Sequence, residues 1–259
     1  MSTSALEPSR RGDTAQMRDT LVRAAGGYLR NVIRQPQISC RVCAAPVRGF
    51  DRCWRCAQAR HIAGVADVVA PLTYAVAGTP SAALVRDYKN HPARSVRERH
   101  SAVIKALVLL AITRHERCIG HAAGLAVSCR LVVPSLTSRP GRHPFAELAH
   151  PMNTACDAVA LTPAADATCD RAINDKFVLQ PAARLDGRHV LIFDDVWTTG
   201  STAQSAALAV RRAGAAAVSV MVVGRWLNPD RRATADFIAA RLHRDYDPDI
   251  CPVTGAECP

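Results

Sequence analysis

Two adjacent carboxylates, Asp194 and Asp195, follow the apolar run Val190-Leu191-Ile192-Phe193 and precede Val196-Trp197-Thr198-Thr199-Gly200-Ser201-Thr202. Four apolar residues in a row read as a strand buried on both faces. The hydroxyl-rich turn with its glycine leads into Ala203–Val210, which reads as a helix. Strand, acid pair, turn and helix start, in that order, make a phosphate cradle. The free N–H groups and positive dipole end of the helix attract a phosphate. The acids beside it accept hydrogen bonds from sugar hydroxyls or face a hydrated divalent cation. An ordinary βα turn accounts for a capping Thr or Ser and a Gly, but not for the whole run.

Cysteine offers a second chemistry. Cys40-Arg41-Val42-Cys43 and Cys53-Trp54-Arg55-Cys56 are two Cys-x2-Cys knuckles with nine residues between them. Each knuckle places two thiolates on one tetrahedral ion, and two knuckles complete a closed four-sulfur zinc site. No coordination position stays open, so that zinc would be structural, folding a segment too small to carry its own core. Paired redox dithiols are the competing reading. The remaining cysteines, Cys118, Cys129, Cys156, Cys169, Cys251 and Cys258, read mostly as small buried apolar residues. Cys251-Pro252 and Cys258-Pro259 leave another reading open, iron–sulfur ligation completed by Cys156 or Cys169.

The run Val190–Thr202 resembles the signature of the type I phosphoribosyltransferases, which bind phosphoribosyl pyrophosphate (PRPP). The resemblance implies that Asp194 and Asp195 hold the ribose hydroxyls as the catalytic acids, while Thr198, Thr199, Gly200, Ser201 and Thr202 wrap the 5′-phosphate. A zinc ribbon followed by such a domain is similar to the ComF family of competence-associated, amidophosphoribosyltransferase-like proteins, over most of residues 38–226. The likeness is strong at the two knuckles and across 189–214, and weaker at Tyr88-Lys89 and Val132-Val133-Pro134. It implies a pyrophosphate loop at Ser135–Arg142, with Ser135, Thr137, Arg139 and Arg142 meeting the leaving group, and Mg²⁺ accompanying PRPP. Where the family carries a Thr-Lys-Pro-Gln-like mobile loop, this chain has Leu161–Arg171 without the Lys and Gln; Arg171 and Asn174 align with a later Arg/Asn pair. Phosphoribosyl transfer needs no covalent nucleophile: the protein positions PRPP against an amine or base and stabilises charge on the departing pyrophosphate. Trp226 either stacks on a base or packs internally.

Thirty-three Lys and Arg against twenty-two Asp and Glu leave a formal charge of +11. Phosphorylated ligands and nucleic acid both suit that balance. The alternative function is therefore a non-catalytic or PRPP-regulated nucleic-acid-binding protein acting in DNA uptake, with Arg41, Arg48, Arg52 and Arg55 of the ribbon facing DNA. A homo-oligomer is left open. The opening residues Met1–Pro8 lack the apolar core of a signal peptide. The longest apolar stretch, Ala106–Ile112, is too short to cross a bilayer. The expectation is a cytoplasmic protein without membrane insertion.

Elements must position these residues. A chain of 259 residues holds one substantial core plus a small module. Residues 1–16 read as disordered. Met17, Leu21, Ala25, Leu29, Val32 and Ile33 recur at helical spacing, giving a basic amphipathic helix over 17–36 that Pro36 stops. The zinc ribbon covers 37–60, the phosphoribosyltransferase-like domain 61–245 and a Cys-Pro tail 246–259. Strands at 67–76, 130–133, 177–179, 190–193 and 217–223 alternate with helices at 81–89, 95–117, 145–152, 203–210 and 231–242. That alternation predicts an α/β fold, a Rossmann-like, mostly parallel sheet with flanking helices, of the type I phosphoribosyltransferase kind. Ligands of such sheets bind beyond the C-terminal strand ends, where Asp194 and Asp195 fall.

Overall fold

The computed structural model describes residues 7–136, 143–149, 152 and 159–259, with the side chains of the first helix from residue 13 onward. The expected contacts of Thr137, Arg139 and Arg142, and the reading of Cys156, lie outside the described residues.

Three long apolar runs form the centre. Strands β1 (Val68–Val76), β5 (His189–Trp197) and β6 (Ala217–Leu227) are buried along almost every residue. With β2 (Cys129–Val132) they make a sheet of order β1-β6-β5-β2 in which every pairing is parallel. Period-two alternation sends Leu191, Phe193, Met221 and Val223 to one face and Val190, Ile192, Val220 and Val222 to the other. Helices α1 (Glu7–Leu21), α3 (Pro80–Asn90), α4 (Arg94–Ala123) and α5 (Pro144–Ala149) are on the first side. Helix α6 (Ser201–Arg212) and the cysteine module, with its helix α2 (Trp54–Ala59), cover the second. Helix α7 (Arg232–Arg241) packs through Phe237 against Tyr74 of β1, in a smaller cluster. Helices on both faces of a parallel sheet are the predicted α/β arrangement.

Several boundaries differ from the sequence reading. Residues 7–16 are helical rather than disordered: α1 starts at Glu7, with Pro8 in the first turn, where a missing N–H costs nothing. The helix expected over 17–36 ends early, because a π-helical turn at Val22–Gly26 runs into Gly27. Leu29 and Val32, at 0% and 3% exposure, enter the core from irregular chain beyond the helix instead. The Arg30 carbonyl there accepts the Tyr74 N–H at 3.1 Å. Strand β4 (Phe177–Gln180) pairs antiparallel with β3 (Ala160–Pro163) in a separate two-stranded sheet, so it is no member of the main one. Among the described residues no helix is long and apolar enough to cross a membrane.

Candidate functional site

Strand β5 runs through the acid pair to Trp197, four residues further than the apolar run predicts. Asp194 pairs with Val222 of β6, so the ladder continues past Phe193. Beside it, β2 ends at Val132, and the Val133 N–H bonds the Phe193 carbonyl at 2.9 Å. The next residues, Pro134 and Ser135, therefore emerge next to the acids. Together with Lys89, His143, Cys169 and Thr202 they line one cleft of about 220 Å³ at the C-terminal edge of the sheet. Expected ligands Asp194, Asp195, Ser135 and Thr202 thus meet in one place.

The two acids have different surroundings. Tyr88 Oη and Lys89 Nζ both donate to Asp195 Oδ2, each at 2.6 Å. Asp195 Oδ2 thus has a neutral and a cationic donor. Among the described residues Asp194 has only the Asp195 backbone N–H, at 2.9 Å on Oδ1. Burial, and then the charge of Asp195, push the Asp194 carboxyl up to about 8. At neutral pH Asp194 keeps its proton.

The residues expected to wrap a phosphate lie where strand turns to helix. Gly200 sits at φ +83°, and a Cβ there would come 2.1 Å from the Trp197 ring, so only glycine fits. Ser201 and Thr202 are the first turn of α6 rather than part of the loop. The Ser201 N–H donates to Thr199 Oγ1 at 3.3 Å, and the two hydroxyls lie 3.1 Å apart. Gly200 at the N-cap has no side chain to offer, so Thr199 Oγ1 is the one side-chain acceptor found at the start of α6 among the described residues. Arg225, 8% exposed, braces the loop from below: its Nη1 donates to the carbonyls of Trp197, Thr198 and Trp226 at 2.7, 3.0 and 2.8 Å. Its spacing within a strand gave no hint of that role.

Other expectations move. Trp226 lies within β6 and packs partly buried against the core, which is its internal reading. Arg171 and Asn174 are both exposed and do not line the cleft. Lys176, 1% exposed, is bonded to Asp170 Oδ1 at 2.6 Å and to its carbonyl at 2.7 Å. Lys176 is therefore held within its own segment and does not line the cleft. Of the cysteines read as buried, Cys169 and Cys258 are exposed, and Cys129 is disulfide-bonded. Cys169 Sγ approaches the Leu136 carbonyl at 3.7 Å, away from the tail, so it completes no cluster with Cys251 and Cys258.

Cys40, Cys43, Cys53 and Cys56 do come together, all four sulfurs within 4.8 Å of one another. The first knuckle closes because the Ala44 N–H bonds the Cys40 carbonyl at 2.9 Å and the Cys40 N–H bonds the Ala45 carbonyl at 2.7 Å. The second places Cys53 just before α2 and Cys56 within it. Cys43 and Cys53 Sγ lie 3.7 Å apart, against an edge of about 3.8 Å for four sulfurs around one zinc. Hydrogen bonding to Cys43 pulls Cys40 down and hydrogen bonding to Cys40 pushes Cys56 up; sulfurs so crowded cannot all ionise without a cation. A second group, His115, Cys118, Cys251 and Cys258, meets the same 4.8 Å condition and could also hold a metal ion. No family model, curated protein or solved structure matches this chain.

Proposed function

We propose that the chain binds PRPP in the cleft beyond β2 and β5 and transfers its phosphoribosyl group, with Mg²⁺, to an amine or base. The observation that carries this reading is the convergence of the acid pair, Thr202 in the first turn of α6 and Ser135 on one cleft. In this reading the first-turn N–H groups of α6 and the Thr199 and Ser201 hydroxyls receive the 5′-phosphate. Asp195, charge-balanced by Lys89, accepts from one ribose hydroxyl, and neutral Asp194 donates to the other. Ser135 and Lys89 meet the pyrophosphate as negative charge builds on it. Mg²⁺ carried by PRPP would supply further neutralisation of that charge. Tyr88 and Lys89 occupy both lone pairs of Asp195 Oδ2, so Oδ1 is the oxygen that takes the ribose hydroxyl. The signature and the knuckles support placing the chain in the ComF-like branch, with a structural zinc in the four-cysteine module.

Titration calorimetry with PRPP and Mg²⁺ tests the reading. Binding is expected, and it should fall below detection in Asp194→Asn/Asp195→Asn. A pyrophosphate-release screen across amines and bases then identifies the acceptor. No heat from PRPP in the presence of Mg²⁺ would overturn the assignment.

One observation favours a second reading. Phe50 and Trp54 are 69% and 65% exposed on the cysteine module, and Arg55 stacks over the Trp54 ring at 4.8 Å. Exposed aromatics among arginines suit stacking on single-stranded DNA. It ranks second because Asp51 already pairs with Arg41 and Arg52, and Asp236 with Arg48. A gel shift at low salt that Trp54→Ala abolishes would support it; no shift would end it.

A further inference from the structure

The C-terminal tail folds back over α4 and delivers two thiols to a histidine and a cysteine one helical turn apart. His115 and Cys118, at i and i+3, share one face of α4. Cys251 and Cys258 reach them because the residues between form a closed loop. The Gly255 N–H donates to the Cys251 carbonyl, and the Cys251 N–H donates to the Ala256 carbonyl, both at 2.8 Å. Gly255 sits at φ +77°, where a Cβ would come 2.6 Å from Arg34, so the loop packs as tightly as its glycine allows.

We propose that His115, Cys118, Cys251 and Cys258 bind a second structural Zn²⁺ that locks the C-terminal tail onto α4. The imidazole is already set for the task. His115 Nε2 lies 2.9 Å from the Pro248 carbonyl, which can only accept, so Nε2 carries the hydrogen and Nδ1 presents its lone pair. Nδ1 points to Cys258 Sγ at 3.2 Å. A backbone carbonyl fixing the tautomer of a ligating histidine is a recurrent outer-shell device. Four ligand atoms within 4.8 Å fit one tetrahedral ion, whereas an iron–sulfur cubane spreads its thiolates wider. The four sulfur and nitrogen donors leave no position for water, so the site is closed. Cys118, Cys251 and Cys258 are free thiols, which leaves them available to the metal. This inference does not depend on PRPP binding.

Metal analysis of the full chain, purified under reducing conditions without chelator, tests it. About two zinc ions per chain are expected, one from each cluster. Cys251→Ser/Cys258→Ser should lose one and keep the other, and Cys40→Ser/Cys43→Ser the converse. His115→Cys should retain two, since four thiolates also suit zinc, while His115→Ala drops to one. If the tail variants fold poorly, Co²⁺ loading of the Cys40→Ser/Cys43→Ser protein provides a separate readout, with tetrahedral thiolate bands expected. Limited proteolysis should release the tail from wild type only after chelation. One zinc per chain, unchanged by Cys251→Ser/Cys258→Ser, would overturn the proposal. Iron with acid-labile sulfide, or a Cys251–Cys258 disulfide in the protein as isolated, would overturn it too.

Discussion

Lys89 Nζ and Asp195 Oδ2 lie 2.6 Å apart, joining the end of α3 to the end of β5 across the floor of the cleft. The pair is mostly covered, at 21% and 12% side-chain exposure, and Tyr88 shares the same carboxylate oxygen. Two consecutive residues on α3 therefore hold one acid of the signature in place and balance its charge.

Removing that cation leaves Asp195 beside Asp194 with only a phenol for company. Lys89→Met is expected to cost about 2–4 kcal/mol of unfolding free energy at pH 7, because a buried ion loses its partner. Tyr88→Phe removes one hydrogen bond to a charged group and should cost about 1–2 kcal/mol. Urea unfolding of both variants checks the order. A Lys89→Met loss no larger than that of Tyr88→Phe would show that the lysine does not neutralise the acid.

The raised Asp194 carboxyl has a signed pH consequence. Its native value near 8 lies above the unfolded value of about 3.9. Between those values the folded state holds a proton that the unfolded chain has released, so stability falls as pH rises from about 4 to about 8. Asp194→Asn should flatten that slope and be the more stable protein at pH 8–9, by a few kcal/mol at most. Asp170 has the opposite sign. Its hydrogen bond to Lys176 holds it down to about 2, so its contribution is present above about 4 and is lost as pH falls toward 2. Thermal melts from pH 2 to 9 should show that Asp170→Asn makes the acid limb shallower, because Asp87 and Asp186 are also held down by their arginines, and that Asp194→Asn leaves it in place.

Gly200 is where loop geometry and packing make the same demand. Gly200→Ala places a methyl group into the Trp197 ring at a backbone angle that side chains rarely adopt. The ring must shift, and the Trp197 and Thr198 carbonyls held by Arg225 shift with it. A stability loss of about 2–4 kcal/mol is expected, with PRPP affinity reduced at least tenfold in calorimetry. Unchanged affinity would separate the turn from the ligand.

What could be read in advance follows how local the physics is. β1, β5 and β6 are buried on both faces, so their apolar runs announced them. The Cys-x2-Cys knuckles declared themselves because each half of the site is local in sequence. Leu29 misled because it continues a helical period begun by Leu21 and Ala25, while Gly26-Gly27 ends the helix first. β3 was missed because Ala160-Leu161-Thr162-Pro163 buries one residue only and contains a proline. His115 and Cys118 were overlooked as a pair because their partners lie more than 130 residues away. The spacing His-x2-Cys within a helix was the available clue, next to a tail whose two cysteines were open to iron–sulfur ligation with other partners. Arg225 and Arg34 act through backbone carbonyls, which no side-chain pattern records.

Arg34 joins the two cysteine clusters mechanically. Its Nη1 donates to the carbonyls of Arg41 and Val42 inside the first knuckle, at 3.1 and 3.0 Å. Its Nε donates to the Pro252 carbonyl in the tail loop at 3.0 Å, and its Nη2 to Val69 of β1 at 2.7 Å. A lysine keeps the charge but lacks the planar fork that reaches four carbonyls at once. Arg34→Lys should therefore destabilise the fold by about 2–4 kcal/mol, with several charged hydrogen bonds lost together. Hydrogen exchange should rise in 40–56 and in 251–258 in parallel, although the two segments are far apart in sequence. Loosening of one segment alone would mean that Arg34 supports that segment and does not couple the two.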